Sequence, residues 1–176
     1  MKSLVVYFSA SGVTAHAAEA LAEAIGADLF EIRPEKPYSD SDTNWKNPLA
    51  RCNKEKIGKK DVPVEGTIEA FEDYVTVFIG FPIWYGCAPN VVNTFAKAYD
   101  WTGKKVGIFA TSGGSGIGKT AAKLQPYIEG ADIIDAKVNL SLESDALKAW
   151  ADQVLGASME NLESWAEEID KADPEI

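Results

Sequence analysis

Five short apolar runs alternate with helical segments along the chain, and this alternation restricts the fold more than any other feature. The runs are rich in β-branched and aromatic residues and cover positions 4–8, 27–32, 75–81, 105–110 and 131–138. The first run, Leu4–Phe8, is almost continuously apolar, which is typical of a strand that is buried on both faces of a sheet. Strands that alternate with helices predict a parallel sheet covered on both faces. The sequence therefore predicts an α/β fold with a doubly wound, five-stranded parallel sheet in a three-layer α/β/α arrangement.

The segments between these runs have the spacing of amphipathic helices. The clearest apolar face follows the first run and consists of Ala17, Ala18, Leu21, Ala22 and Ile25. Gly26 comes directly after this face and is predicted to be its C-cap. Further helices are predicted at about 91–99, 119–127, 145–155 and 161–169, with a short one at about 49–57.

The chain of 176 residues has the length of one domain with its own core. We assign residues 1–155 to this domain and residues 156–176 to an acidic C-terminal helical extension of it. No apolar run approaches the ~20 residues that a membrane-spanning helix needs, and the N-terminus lacks the pattern of a secretory signal. The two cysteines, Cys52 and Cys87, do not make a disulfide framework, so a cytoplasmic protein without membrane contact is expected.

Acidic residues outnumber basic ones by 27 to 17, which gives a formal net charge of −10 at pH 7. Such a charge repels nucleic acid, so nucleic-acid binding is not expected. A protein partner with a basic face would be attracted and steered. Residues 157–176 contain seven carboxylates and one lysine. We interpret them as a solvated helix and tail, with a docking surface as the alternative.

Residues 34–66 form the least regular part of the chain, and we call them the insertion. They contain Pro37, Pro48 and Pro63 among many polar turn residues. A connection of this length in a compact domain is usually functional or poorly ordered. A local basic cluster in the insertion consists of Arg51, Lys54, Lys56, Lys59 and Lys60. We interpret this cluster as a solvated helix face rather than an anion site.

Ligands of doubly wound sheets bind beyond the carboxyl ends of the strands, where the strand order reverses. The loops after the first, third and fourth strands are therefore the candidate site. The first loop, Ser9–Thr14, leads into a helix N-terminus, where free N–H groups and the helix dipole favour an anion. Its hydroxyls and Gly12 suit a phosphate held by neutral donors, and a serine-rich helix cap is the alternative. The candidate contacts are Ser9, Ser11, Gly12, Val13, Thr14 and Ala15.

The second loop, Gly80–Gly86, has aromatic residues where a soluble protein normally has polar ones. Trp84 and Tyr85 come soon after a strand, and exposed rings at this edge of a sheet suit a flat ligand. Burial of both rings in the core is the alternative, although Pro82 and Gly86 argue against a simple continuation of the strand. The candidate contacts are Pro82, Ile83, Trp84, Tyr85 and Gly86.

The third loop is rich in glycine, so its backbone can approach a ligand closely. The candidate contacts are Thr111, Ser112, Gly113, Gly114, Ser115 and Gly118. Gly113–Thr120 also matches the phosphate-loop pattern of nucleotide hydrolases, and Ile133–Asp135 offers a weak second motif. We reject that interpretation because only 56 residues follow Thr120 and because the first two loops would have no role. Lys119 is therefore predicted to be a surface residue.

Other kinds of site fail simple tests. A phosphatase loop needs an arginine at a fixed spacing after its cysteine, but Gly58 and Asn93 occupy those positions. One histidine and two distant cysteines argue against a metal centre. The histidine, His16, is interpreted as an exposed helix residue rather than a phosphate or proton contact. No paired nucleophile and base is visible in the sequence, so we assign no catalytic and no metal-binding residues.

Together, the three loops resemble those of the flavodoxin-like FMN-binding proteins. Tyr7–Thr14 resembles the loop that binds the FMN phosphate in that family. Gly80–Gly86 resembles the isoalloxazine-binding loop of a bacterial flavodoxin subgroup with the pattern P-I-W-W/Y-G, and Thr111–Gly118 resembles the third flavin loop of that subgroup. Glu35–Tyr38 and Asn44–Trp45 are also similar. The glycine-rich third loop, the insertion and the tail beyond residue 157 depart from long-characterised flavodoxins.

This resemblance covers roughly residues 2–155 and implies a flavodoxin-like sheet with the strand order 2-1-3-4-5. It implies FMN as the cofactor and a low-potential electron shuttle between redox proteins with basic faces as the function. The alternative is an FMN-dependent NAD(P)H:quinone or flavin oxidoreductase. Such an enzyme would need a second aromatic residue or an open pocket over the flavin, supplied by Trp45 of the insertion or by a dimer mate. A flavin-free regulatory or docking module is a third class. We expect a monomer or a homodimer.

Overall fold

A computed structural model of the protein describes residues 2–156. The strands are β1 (Lys2–Tyr7), β2 (Asp28–Glu31), β3 (Arg33–Pro34), β4 (Val64–Glu65), β5 (Tyr74–Pro82), β6 (Lys105–Thr111) and β7 (Asp132–Val138). The helices are α1 (Val13–Ile25), α2 (Arg51–Gly58), α3 (Asn90–Ala96), α4 (Thr120–Leu124) and α5 (Ser144–Gly156). The predicted helix at 161–169 and residues 157–176 of the predicted extension lie outside the described residues.

The main sheet has five parallel strands in the order β2-β1-β5-β6-β7. The strands β3 and β4 are not part of it, since they pair with each other as a short antiparallel ribbon. Counted along the chain, the five main strands therefore have the order 2-1-3-4-5, which confirms the predicted fold. The order reverses at β1, so the carboxyl ends of β1, β5 and β6 lie side by side.

Helices cover the main sheet on both faces, and β1 shows why. Its alternate side chains enter two separate apolar layers, as the pleat of a strand requires. On one face, Val5 and Tyr7 pack with residues of α1 and α5, including Leu21 and Trp150. The residues of the other layer include Leu4, Val6, Phe81, Val91, Phe95, Trp101 and Leu124. Because both faces are covered at β1, the loops at the carboxyl edge are where a ligand can reach this part of the sheet.

Two strand positions are glycines because aromatic rings lie directly against the sheet there. A Cβ atom at Gly80 would lie 2.2 Å from ring atoms of Phe109. A Cβ atom at Gly107 would lie 2.9 Å from the ring of Phe78. Both rings are buried in the layer under α1 and α5. These glycines therefore allow α1 and α5 to pack closely on the sheet.

Two helices end earlier than their patterns predict. The helix α3 ends at Ala96, and the residues up to Tyr99 continue as tight turns with hydrogen bonds such as Ala98 N to Phe95 O at 3.1 Å. The helix α4 ends at Leu124, and Gln125–Tyr127 forms a 3₁₀ turn. That turn contains Pro126, which has no N–H group with which to continue an α-helix.

The insertion is folded back onto the main domain. The predicted short helix is present as α2, and the β3–β4 ribbon joins the two ends of the insertion. Val62 N donates to Thr94 Oγ1 of α3 at 2.9 Å, and the side chain of Val62 is buried in the core. Within residues 2–156, no helix is both long and apolar enough to cross a membrane.

Candidate functional site

The three loops that the sequence singles out meet at the carboxyl edge of the main sheet. They follow the neighbouring strands β1, β5 and β6. Thr111, at the end of β6, connects all three. Its Oγ1 lies 2.7 Å from Thr14 Oγ1 of the first loop in a buried hydrogen bond, and its carbonyl oxygen accepts a bond of 2.9 Å from Ile83 N of the second loop. The structure therefore joins the three loops at one edge of the sheet.

The first loop ends in the start of α1. Gly12 has a φ of +94°, a conformation that favours glycine, and its N–H donates to Ser9 Oγ at 3.0 Å. The first hydrogen bond of the helix runs from His16 N to Gly12 O at 3.0 Å. The N–H groups before His16 in the first turn have no acceptor within the helix. They present donors to an anion at the helix start, with the dipole favouring negative charge.

The three hydroxyls of this loop have different surroundings. Ser11 is exposed and Ser9 is half-buried, so both lie at the surface of the loop. Thr14 is only 2% exposed, and its hydroxyl bonds to Thr111. Thr14 therefore connects the first and third loops as well as standing near the helix start. His16 is exposed, as predicted.

The second loop closes in a tight turn. Trp84 N donates to Cys87 O at 2.9 Å and Cys87 N donates to Trp84 O at 3.1 Å. The central residues, Tyr85 and Gly86, have φ values of 56° and 72°. Two positive φ values are the signature of a type I′ turn, and the first of them is unfavourable for a bulky side chain such as tyrosine. The turn ends the extended course of β5 just before these aromatic residues.

Trp84 is half-buried. The sequence left two alternatives for its ring, exposure to a flat ligand and burial in the core, and the observed position lies between them. Its ring centroid lies 5.6 Å from that of Phe8 and 5.3 Å from that of Tyr38, with near-perpendicular ring planes in both pairs. Such edge-to-face contacts hold an aromatic ring in a fixed orientation. Tyr85 is 41% exposed. The Trp84 ring is therefore fixed by its neighbours without being enclosed in the core.

The Tyr85 hydroxyl joins the second loop to the insertion. It donates to Asn53 Oδ1 and contacts Cys52 Sγ at 3.4 Å, and both partners belong to α2. Partial burial and the contact with Cys52 raise the pKa of Tyr85, so the hydroxyl stays protonated and can donate. Between the insertion and the second loop lies a cavity of about 270 Å³. It is lined by Thr43, Trp45, Cys52, Ile83, Trp84 and Tyr85.

A hydrogen-bonded group in the insertion positions Tyr38 against Trp84. Arg51 Nε donates to Glu55 Oε1 at 2.7 Å, and the Arg51 guanidinium lies 3.9 Å from the centre of the Tyr38 ring. Tyr38 OH donates to Glu55 Oε2. Burial and this hydrogen bond raise the pKa of Tyr38. The sequence analysis interpreted the whole basic cluster as a solvated helix face. Arg51 departs from that interpretation, because its side chain is half-buried and has a structural role.

The third loop is held by a residue that the sequence analysis missed. Asn139 follows β7, and its Oδ1 accepts from Ser112 N at 3.0 Å while its Nδ2 donates to Ser112 O at 2.9 Å. Asn139 has a φ of 51°, a left-handed conformation that asparagine tolerates better than most residues. Within the loop, Ser112 Oγ accepts from Gly114 N at 3.2 Å and from Ser115 N at 2.9 Å. The signal in the sequence that could have identified this residue was an asparagine directly after the last predicted strand.

The nucleotide-hydrolase pattern has no matching geometry. Lys119 is exposed, as predicted. Thr120, which would have to offer its hydroxyl to a metal ion in that pattern, is 0% exposed and donates to Ile117 O. Among residues 2–156 there is no group of three or more histidine, cysteine and carboxylate side chains that could hold a metal ion.

A family comparison agrees with this arrangement. The family model described as flavodoxin matches residues 2–154. The chain belongs to the flavodoxin family. No protein of curated function matches the chain.

Two solved structures share both sequence and fold with this flavodoxin-family protein. A protein from Bacteroides eggerthii DSM 20697, assigned as a flavoprotein, is 39% identical with a TM-score of 0.79, over 88% of this chain and 98% of that one. Another from Bacteroides uniformis ATCC 8492, also assigned as a flavoprotein, is 35% identical with a TM-score of 0.77, over 86% and 97%. A flavoprotein from Lactobacillus acidophilus NCFM in complex with FMN is 22% identical with a TM-score of 0.67, over 85% and 98%, and this likeness concerns the fold.

Proposed function

We propose that this protein binds FMN at the three loops and carries electrons at low potential between redox proteins. One observation carries the proposal: Thr111 joins an anion-suited helix start to an aromatic turn at one edge of the sheet. FMN has the two corresponding parts, a phosphate and a flat ring system. Membership of the flavodoxin family and the FMN complex of the Lactobacillus acidophilus flavoprotein support the same cofactor.

The residues divide between the two parts of FMN. The phosphate is assigned to the first loop, with contacts from Ser9, Ser11, Gly12, Val13, Thr14 and Ala15. The ring system is assigned to the second loop, with Pro82, Ile83, Trp84, Tyr85 and Gly86. The third loop contributes Thr111, Ser112, Gly113, Gly114, Ser115 and Gly118. The first loop has no lysine or arginine, so N–H groups, hydroxyls and the α1 dipole would hold the phosphate charge.

The cofactor would supply the redox chemistry, while the protein supplies binding, orientation and electrostatics. A net charge of −10 disfavours additional negative charge on a bound flavin, which lowers its reduction potential. The same charge attracts redox partners with basic faces. Cys52 and Cys87 are both free and buried, which supports a reducing, cytoplasmic compartment. Residues 1–155 would form the working domain.

The test is to titrate the apoprotein with FMN, FAD and riboflavin and to monitor binding by flavin fluorescence. FMN should bind more tightly than FAD, because the sequence shows no second loop suited to an adenylate half. Ser11→Ala should weaken FMN binding, since it removes an exposed hydroxyl from the phosphate loop. The same variant should leave riboflavin binding unchanged, because riboflavin has no phosphate. Equal or tighter binding of FAD, or an equal loss for riboflavin, would contradict the proposal.

The cavity beside the second loop favours one second candidate, an FMN-dependent NAD(P)H:quinone or flavin oxidoreductase. Trp45 is 67% exposed and lines this cavity together with Trp84. An aromatic-lined space next to a flavin would suit a flat second substrate. Anaerobic mixing of the FMN-loaded protein with NADPH separates the candidates. A carrier should show slow or no bleaching of the flavin, whereas fast bleaching would favour the enzyme.

A further inference from the structure

A second cavity, of about 310 Å³, lies behind the second loop and is lined by lysines. Five of the fifteen lysines in the chain line it, namely Lys56, Lys59, Lys60, Lys97 and Lys123. Asp61 is the one carboxylate among its lining residues, and it forms an ion pair with Lys97. The charged side chains of this lysine cavity therefore sum to plus four, in a protein whose net charge is −10. Such a concentration of like charge is unfavourable unless an anion offsets it.

The wall of the lysine cavity is held in place by hydrogen bonds. Lys56 Nζ donates to Cys87 Sγ at 2.9 Å, and Lys123 Nζ donates to Gly86 O at 3.4 Å. Both ammonium groups are thus anchored against the turn of the second loop. Asn90 Nδ2 donates to the carbonyl oxygens of Glu55 and Lys60 at 2.8 Å and 3.0 Å, which fixes the end of α2 to the start of α3.

Lys59 and Lys60 supply the charges that have no partner among residues 2–156. Within residues 2–156, neither ammonium group forms a hydrogen bond or ion pair. Lys59 also has a φ of 47°, a left-handed conformation that favours glycine, and it is the C-cap of α2. A lysine in such a position carries a backbone cost, and residues of this kind concentrate at binding sites.

We propose that the lysine cavity binds a small polyanion that contains two linked phosphate groups. Lysine binds phosphate as a point charge, whereas planar carboxylate recognition uses arginine, which the lining lacks. The charge of plus four is opposite in sign and similar in size to the charge of a fully ionised diphosphate. The cavity shares no lining residue with the loops assigned to FMN, so it is a separate site. The diphosphate can be free or part of a dinucleotide, which the experiment distinguishes.

The test is isothermal titration of the protein, with and without excess FMN, using inorganic pyrophosphate and NADPH as separate probes. The variant Lys59→Gln/Lys60→Gln removes the two unpartnered charges. Its matched control is Lys36→Gln/Lys54→Gln, which removes two exposed charges from the same insertion, outside the cavity. We expect one equivalent of at least one probe to bind. The cavity variant should weaken that binding about tenfold or more, and the control should change it less than about twofold.

The results of this titration test the lysine cavity independently of the FMN proposal. Binding of pyrophosphate alone identifies a free diphosphate as the ligand class, and tighter, Lys59- and Lys60-dependent binding of NADPH identifies a dinucleotide. Displacement of the probe by FMN would place it at the first loop and overturn the proposal. An equal loss of affinity in the cavity variant and in the control variant would show that the effect comes from the overall charge of the protein. That result would also overturn the proposal. The proposal would likewise be overturned if neither pyrophosphate nor NADPH bound at millimolar concentration.

Discussion

At the scale of single residues, Trp84 is the side chain on which the ring half of the proposed FMN site depends. It is held edge-to-face by Phe8 and Tyr38, which come from β1's carboxyl end and from the insertion. Two segments that are distant from Trp84 along the chain therefore hold its ring. A ring with a preset orientation loses little rotational freedom when a flat ligand stacks on it.

We expect Trp84→Ala to weaken FMN binding by roughly ten- to a hundredfold, since stacking of a base on an aromatic ring is worth ~1–3 kcal/mol. Trp84→Phe keeps an aromatic ring and should lose less. The measurement is the dissociation constant by flavin fluorescence. Thermal unfolding of each apoprotein separates loss of binding from loss of stability. Unchanged affinity and an unchanged flavin spectrum in Trp84→Ala would assign the ring to packing alone.

Local sequence patterns identify features such as a glycine at a helix start, whereas pairings between residues that are distant along the chain do not follow from them. Gly12 could be identified because a strand, a glycine and a helix start occur together. The packing of Tyr38 against Trp84 and the bonding of Asn139 to Ser112 could not be predicted, since these partners lie about 46 and about 27 positions away. Such pairings follow from tertiary packing and leave little local signal.

At the scale of elements, the contact between α1, α5 and the sheet depends on glycine in the strands. Gly80→Ala would place a methyl group 2.2 Å from the buried Phe109 ring. We expect a loss of about 1–3 kcal/mol in the free energy of unfolding, the usual cost of overpacking a core. Chemical denaturation measures it. Gly116→Ala, where nothing lies within 4 Å of the added Cβ, should change stability by less than about 0.5 kcal/mol.

A rescue variant makes this prediction specific. Phe109→Leu combined with Gly80→Ala should recover part of the loss, because a smaller side chain leaves room for the new methyl group. If the double variant is as unstable as the sum of the two single variants, the clash with Phe109 is not the cause.

At the amino edge of the sheet, Tyr74 of β5 is linked to Asp28 of β2 across β1. Tyr74 OH donates to Asp28 Oδ2 at 2.6 Å, and this hydrogen bond, with burial, raises the pKa of Tyr74 to about 12. The native state therefore holds a proton that the unfolded chain loses at about pH 10. The stabilisation is complete below pH 10 and is lost as the pH rises from 10 to 12.

We therefore expect the free energy of unfolding to fall less between pH 10 and 12 in Tyr74→Phe than in the natural protein. Urea denaturation at several pH values in this window measures the difference. Asp28→Asn, which removes the carboxylate acceptor, should reduce the fall in the same way. Parallel pH curves for the three proteins would show that the hydrogen bond has no part in it.

The main strands and longer helices were predicted to within a few residues because each buries a continuous apolar run or face. The strands β3 and β4 were not predicted, since two-residue strands have no periodicity. They exist because the two ends of the insertion lie close together, with Glu35 N bonded to Pro63 O at 2.9 Å. Their pairing is a consequence of the fold rather than of local preference.

At the scale of the whole molecule, alternation predicts a parallel α/β sheet but not the order of its strands. That order came from the likeness of the three loops to a known family. The net charge likewise does not predict where charged residues gather in the folded protein. The total of −10 hides the lysine cavity, because its lysines come from the insertion, the end of α3 and α4 and meet only in the folded protein.

The net charge leads to one prediction about electron transfer. We expect the FMN-loaded, reduced protein to transfer electrons to a basic redox protein such as cytochrome c at a rate that falls as salt rises. Exposed charges are screened within ~10 Å at 0.1 M ionic strength, so steering weakens. Stopped-flow absorbance between low and high salt measures the rate. A rate independent of salt would argue against steering by the net negative charge.

The buried Thr14–Thr111 hydroxyl pair has a thermodynamic consequence for the whole site. It connects the first and third loops in the protein without a ligand, and Thr111 also accepts from the second loop. Three loops that are already joined have little conformational entropy left to lose when a ligand arrives. Association should then resemble the docking of a rigid body, and the contact energy of the loops goes into affinity rather than into ordering the backbone.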